Sequence, residues 1–80
     1  MTPIVFAHGL EGSPKGRKIQ ILRSAGFQVE APDGREKSLS KRIEQLEPLI
    51  LGRRVLLVGS SYGGLAAAYL AAQHPDLSLI

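Results

Sequence analysis

Val55-Leu56-Leu57-Val58-Gly59-Ser60-Ser61-Tyr62-Gly63-Gly64-Leu65 decides the fold. Its first four residues form an unbroken apolar run, the pattern of a strand buried on both faces of a parallel sheet. Its last residue opens Leu65-Ala66-Ala67-Ala68-Tyr69-Leu70-Ala71-Ala72, a close-packing alanine helix that Pro75 stops. Strand must therefore become helix within the glycine-rich turn between them. Gly59 and Gly63 lie two residues before and after Ser61, where a side chain is expected to collide with the strand–helix packing. Gly64 and the alanines are expected to let the helix close on the sheet.

The same alternation extends in both directions. Ile4-Val5-Phe6-Ala7 reads as a second buried strand, ending at His8-Gly9. Ser13-Pro14 predicts a helix N-cap followed by proline at the first helical position. Ile19, Leu22 and Ala25, with Ile21 alongside, give that helix its apolar stripe, and Gly26 suits its C-terminal cap. Phe27-Gln28-Val29-Glu30-Ala31 alternates like a more exposed strand, and Pro32-Asp33-Gly34 turns the chain. Ser38 or Ser40 caps a second helix whose face carries Leu39, Ile43, Leu46 and Ile50. Pro48 predicts that this helix ends or kinks near Glu47. Leu77-Ser78-Leu79-Ile80 reads as the opening of a fourth strand. The order βαβαβα(β) implies a three-layer α/β sandwich around a parallel sheet with right-handed crossovers.

Eighty residues without cysteine exclude disulfides and thiolate metal sites, and two distant histidines do not make a metal site. No cofactor is expected. Domains this small bury only about 60% of their unfolded surface, so a chain this apolar is expected to lean on something outside itself. The net charge of +3 comes from ten scattered basic residues, Arg42 among them, which read as a solvated surface mixed with Glu36, Glu44 and Glu47. No aromatic residues interleave with them as a nucleic-acid stacking platform requires. No signal peptide or membrane-spanning run is legible, so a cytoplasmic protein without nucleic-acid or membrane partners is expected. The chain reads as a single unit, 1–80, that stops inside an apolar strand.

The turn carries the chemistry. A serine on a tight strand-to-helix bend is a nucleophile elbow, which holds its Oγ exposed at the carboxyl edge of the sheet. Ser61 is the candidate nucleophile, and the Tyr62 N–H faces the same space as a candidate oxyanion donor. Ser60 falls one place before the apex and reads as a packed neighbour. The first strand ends beside the elbow, so Gly9 is expected to turn the Leu10 N–H inward as a second donor. His8 is read as a hydrogen-bonding support of that loop rather than a base. His74, at the far end of the elbow helix, reads as a surface residue near the helix C-terminus. Dinucleotide and P-loop motifs are absent.

Ile4-Val5-Phe6-Ala7-His8-Gly9-Leu10-Glu11-Gly12-Ser13-Pro14 together with Gly59-Ser60-Ser61-Tyr62-Gly63-Gly64 resembles the α/β-hydrolase superfamily, and its small bacterial esterase-like members in particular. The resemblance implies strands in the order second, first, third, fourth, with Ser61 attacking a carboxylic ester or thioester of a small molecule. It also implies a triad acid and histidine placed after the serine. Only His74 and Asp76 follow Ser61, at the wrong end of the helix, and Asp33 has no triad role. The chain thus reads as the N-terminal half of such a domain, completed by a missing C-terminal half or by self-association. The alternative is a catalytically inactive half-domain that binds partners through its uncovered sheet edge.

Overall fold

A computed structural model describes residues 2–9, 12–75 and 78–79. Among the described residues three helices and four strands alternate: β1 (Ile4–Ala7), α1 (Arg17–Ser24), β2 (Val29–Glu30), α2 (Leu39–Ile50), β3 (Leu56–Gly59), α3 (Tyr62–Gln73) and β4 (Ser78–Leu79). All strand pairs are parallel, in the order β2-β1-β3-β4. The central pair is in register from Ile4 opposite Leu56 to Ala7 opposite Gly59.

Alternation along β1 divides the core into two layers. Val5 and Ala7 face α2 and α3, packing with Leu57, Leu46, Ile50, Ala66, Ala67 and Leu70. Ile4 and Phe6 face the other way, onto Ile19 of α1 and Val29 of β2. All four β1 residues are consequently buried, as the apolar run requires. Because α1 covers one face and α2 the other, the crossover direction reverses between β1 and β3. Ligands of open parallel sheets bind outside the carboxyl ends of the strands at such a switch point. His8-Gly9 and Ser60-Ser61 leave the sheet there side by side.

Several local expectations are corrected. Ser13-Pro14 does not start α1: Ser13 O accepts from the Gly16 N–H (3.1 Å) to close a turn, and the helix begins at Arg17 behind an N-cap glycine. The Ser13 hydroxyl accepts instead from the Lys15 N–H, a local bond that competes with capping. Ile21 and Ala25 are exposed and only Ile19 is buried, since position i+2 falls on the opposite side of a helix from i. The Gly26 expectation holds, with φ +96° and the paired Gly26 N–H to Arg23 O and Phe27 N–H to Leu22 O bonds of a Schellman ending. The strand expected over 27–31 shortens to Val29–Glu30, leaving Phe27 exposed.

α2 runs through Pro48 to Ile50. An interior proline costs about 3 kcal/mol, but stopping at Glu47 would withdraw Ile50 and Leu49 from the core, and burial of such side chains is worth about 1.5–3 kcal/mol each. The Pro48 ring lies on the exposed side of the helix, and the Leu51 N–H still reaches Glu47 O. Of the two candidate caps Ser38 is used, its Oγ accepting from the Lys41 N–H. Ser38→Ala is expected to lower stability by about 1 kcal/mol in a urea titration, whereas Ser40→Ala, inside the first turn, is expected to leave the midpoint unchanged.

Candidate active site

Ser61 leaves β3 with φ 56° and ψ −123°. A non-glycine residue in this region costs on the order of 1–3 kcal/mol, and the turn around it shows what holds it there. A Cβ on Gly63 would overlap the carbonyl oxygens of Ala7 and His8 and lie 2.5 Å from the Ala7 carbonyl carbon. A Cβ on Gly59 would lie 2.7 Å from Gly64 Cα and 2.9 Å from Ala67 Cβ. The two glycines thus let α3 press against β1 on one side and β3 on the other, and the chain between them has to bend sharply at Ser61. Gly64 itself has room for a methyl group, its nearest neighbour lying at 3.8 Å. Its part in the packing is to receive Gly59.

Ser61 occupies the N-cap position of α3, yet its side chain makes no capping hydrogen bond and the residue is exposed. The positive φ turns the hydroxyl away from the helix it precedes. Tyr62 opens α3, so its N–H has no acceptor within the helix. Ser60 is half-buried, donates its N–H to Ala7 O (3.0 Å), and accepts from Lys18 Nζ at 3.4 Å. It extends the β1–β3 ladder by one bond, as a packed neighbour of the apex.

Gly9 lies directly beside the serine, since a Cβ there would sit 2.9 Å from Ser61 Cβ and 3.5 Å from Ser61 Oγ. Any other residue at position 9 would cover the hydroxyl. Leu10 and Glu11 lie outside the described residues, and with them the second oxyanion donor. His8 is buried and fully engaged: its Nδ1 donates to Gly9 O (2.7 Å) and its Nε2 accepts from the Gly34 N–H (2.9 Å). These partners fix the tautomer protonated at Nδ1 and join the ends of β1 and β2.

The Gly34 turn is anchored in its own right. Asp33 O accepts from Gln45 Nε2 (2.7 Å), while the Asp33 carboxylate accepts from the Arg35 guanidinium (2.7–3.2 Å) and the Arg35 N–H. Those bonds, the guanidinium first and the backbone N–H second, hold the Asp33 carboxyl well below the usual carboxylate range. A depressed folded-state value means a contribution present above about pH 4, the unfolded value, and lost as pH falls through the folded one. A carbon-detected NMR titration is expected to find Asp33 still ionised near pH 3, where an unperturbed aspartate (pKa ~3.9) is mostly protonated.

Reading the sequence missed Arg42. It is 3% exposed, with Nη1 donating to His8 O (2.6 Å), Nη2 reaching Gly9 O (3.5 Å) and Cζ 5.0 Å from the centre of the Tyr62 ring. Its Nε has no partner among the described residues. A single guanidinium therefore touches the loop after β1 and the residue after Ser61. The signal was present in the spacing: Arg42 lies three residues after Leu39 and four before Leu46, on the apolar face of α2. The other nine basic residues are exposed, as expected.

His74 ends α3 half-buried, with Nε2 3.5 Å from Glu47 Oε2. The 12-residue helix separates it from Ser61 by roughly 18 Å. Asp76 lies outside the described residues. No three side chains capable of sharing a metal ion come together among the described residues. No helix among them is long and apolar enough to cross a membrane.

Two curated proteins resemble the chain at the level of sequence. A triacylglycerol lipase of Pseudarthrobacter phenanthrenivorans is 30% identical over 94 aligned positions, covering 94% of the chain and 30% of the lipase. A triacylglycerol lipase of Burkholderia plantarii is likewise 30% identical over 94 positions, covering 94% of the chain and 26% of the lipase. The chain spans less than a third of the length of either lipase. No solved structure matches. The model of one family, described as Uncharacterised protein family (UPF0227), matches residues 3–79, nearly the whole chain, and the chain belongs to that family.

Proposed function

We propose that this chain carries the nucleophile half of an α/β-hydrolase that cleaves carboxylic esters or thioesters through Ser61. The observation that supports this most is the Ser61 backbone: a serine at φ 56°, wedged between two sterically required glycines, with a hydroxyl that is exposed and does not cap the helix. Strain of this kind persists where the surrounding packing enforces it, and it clusters at functional sites. Similarity to two triacylglycerol lipases supports ester chemistry.

In this reading Ser61 Oγ attacks the carbonyl carbon as its proton passes to a general base. The carbonyl electron pair moves onto oxygen, where the Tyr62 N–H and the positive end of α3 stabilise it. Collapse expels the alcohol or thiol and leaves acyl-Ser61, which water then hydrolyses. We assign the Leu10 N–H as the second oxyanion donor, as the resemblance to α/β-hydrolases implies; Gly9 before it is fixed through its carbonyl by His8 and Arg42. Neither histidine suits the base. His8 Nε2 already accepts from Gly34, and His74 is a helix length away. Among the described residues, then, no histidine is placed to act as the base.

The test is active-site labelling. With imidazole added as an external base, a fluorophosphonate probe is expected to modify the folded chain at one residue, mapped to Ser61 by peptide mass analysis, and Ser61→Ala is expected to stay unlabelled. Equal labelling of folded wild type and Ser61→Ala would sink the assignment, as would no labelling of a folded sample.

A further inference from the structure

α1 begins with a charge arrangement that its own electrostatics disfavour. Arg17 and Lys18 open the helix, no acidic residue stands in its first turn, and its N-cap Gly16 offers no side chain to the free N–H groups. Helix N-termini carry partial positive charge and favour anions. Two cations placed there set up a repulsion that an acid or a capping hydroxyl would have relieved. Local choices that contradict the fold's own preferences are expected at functional positions.

The same residues wall a cavity of about 240 Å³. Phe6 and Ile19 supply its apolar surface, Gly12 and Gly16 leave it open, and Arg17 and Lys18 contribute the charge. No described residue lining it is acidic. Among the described residues neither Arg17 nor Lys18 pairs with a carboxylate, although Glu30, Asp33, Glu44 and Glu47 each lie within ion-pair distance of another basic group. The cavity borders the residues around the serine: Gly9 and Ser60 line it, a Cβ on Gly9 would lie 2.9 Å from Ser61 Cβ, and Lys18 Nζ lies 3.4 Å from Ser60 Oγ. Ser61 does not itself line the cavity, so a ligand held at Lys18 would extend past Gly9 and Ser60 to meet it.

We propose that this cavity receives the anionic end, a carboxylate or phosphate, of the ester whose carbonyl is attacked at Ser61. The proposal rests on the hydrolase reading of Ser61 and adds the class of substrate. Lys18 and Arg17 hold the anion, and Phe6 and Ile19 cover a short methylene chain between anion and carbonyl. The cavity is smaller than the 300–1,000 Å³ common for drug-sized ligands. Its size suits an arm of a few carbons, as in the half-ester of a short dicarboxylic acid or a short chain ending in phosphate.

Binding can be measured without chemistry. The ¹⁵N-labelled chain is titrated with glutarate, with propyl phosphate and with neutral glutaramide, following the amides of Gly12, Gly16, Lys18 and Ser60. Saturable shifts at these amides are expected with one or both anions and none with glutaramide; which anion binds tells carboxylate from phosphate. Arg17→Gln with Lys18→Gln, both exposed and outside the core, is expected to weaken binding at least about tenfold, or ~1.4 kcal/mol. Equal affinity in the folded double variant overturns the proposal, as do shifts spread over all exposed basic residues or glutaramide binding as well as glutarate. Anion binding without fluorophosphonate labelling would keep the site and remove the hydrolase reading. Labelling without anion binding would do the reverse.

Discussion

Gly63→Ala is expected to leave no folded domain under conditions where the natural chain is native, read by far-UV circular dichroism and urea titration. The added methyl would enter the space of the Ala7 and His8 carbonyls, which belong to the central strand and the residue after it. Those atoms cannot yield as the end of a flexible side chain can. Ala7 O already accepts from the Ser60 N–H, and His8 O from Arg42. The helix would have to lift instead, taking Ala66, Ala67 and Leu70 off Val5 and Leu57. Overpacking a core typically costs about 1–3 kcal/mol and occasionally more. Against rigid backbone we expect the loss to exceed ~3 kcal/mol, much of the roughly 4–12 kcal/mol available to a domain of this size. Gly64→Ala is the control, because its methyl meets only ordinary contacts. That variant should fold with a midpoint at or above the natural one, alanine being the better helix former by about 1 kcal/mol. Similar outcomes for the two variants would refute the steric account of the turn.

Arg42→Met should destabilise the fold by about 2 kcal/mol, and Arg42→Ala by about 3. Two effects oppose each other. Among the described residues Arg42 is a buried cation with no carboxylate partner and an unbonded Nε, so replacing it relieves a desolvation cost. Against that, His8 O loses its guanidinium donor, and hydrogen bonds to charged groups are worth about 1.5–3 kcal/mol. Gly9 O loses less, since its Arg42 contact is long and His8 Nδ1 still donates to it. The stacking on Tyr62, worth roughly 0.5–2 kcal/mol for a cation over a ring, tips the balance further. Urea denaturation gives the magnitude, and hydrogen exchange at the Gly34 amide reports whether the His8 network has loosened. An Arg42→Met chain as stable as the natural one, with Gly34 equally protected, would show that desolvation outweighs the bonds.

Apolar runs and helical spacing made most of the architecture legible. Two continuous four-residue runs sufficed to identify β1, buried on both faces, and β3, which buries Leu57 on one face and half-buries Leu56 and Val58 on the other, while the strand order was implied by the resemblance to α/β-hydrolases. The Ser61 turn was legible because glycine spacing records steric contacts directly. The rest depended on tertiary balance. Pro48 breaks a helix in isolation but not one anchored by Ile50. Ser13-Pro14 has the letters of a helix start, yet the Ser13 carbonyl closes a turn with the Gly16 N–H and the N-cap falls three residues later. Arg42 was read as surface because of its charge, although its position on the α2 stripe already pointed inward. The partners that make its burial tolerable, two carbonyls and a ring, come from segments 20 to 34 residues away.

The parallel pairing of β1 with β3 has a kinetic consequence. Ile4 lies opposite Leu56, a separation of 52 residues, and α1, β2 and α2 fall within the loop so closed. Such non-local pairing must meet its loop-closure entropy before the contacts return anything, which slows folding. Gly9 and Ser61 belong to the two ends of that loop. The arrangement around the serine therefore cannot form in a partly folded chain, and a refolding sample should become reactive at Ser61 only as fast as its central strands join.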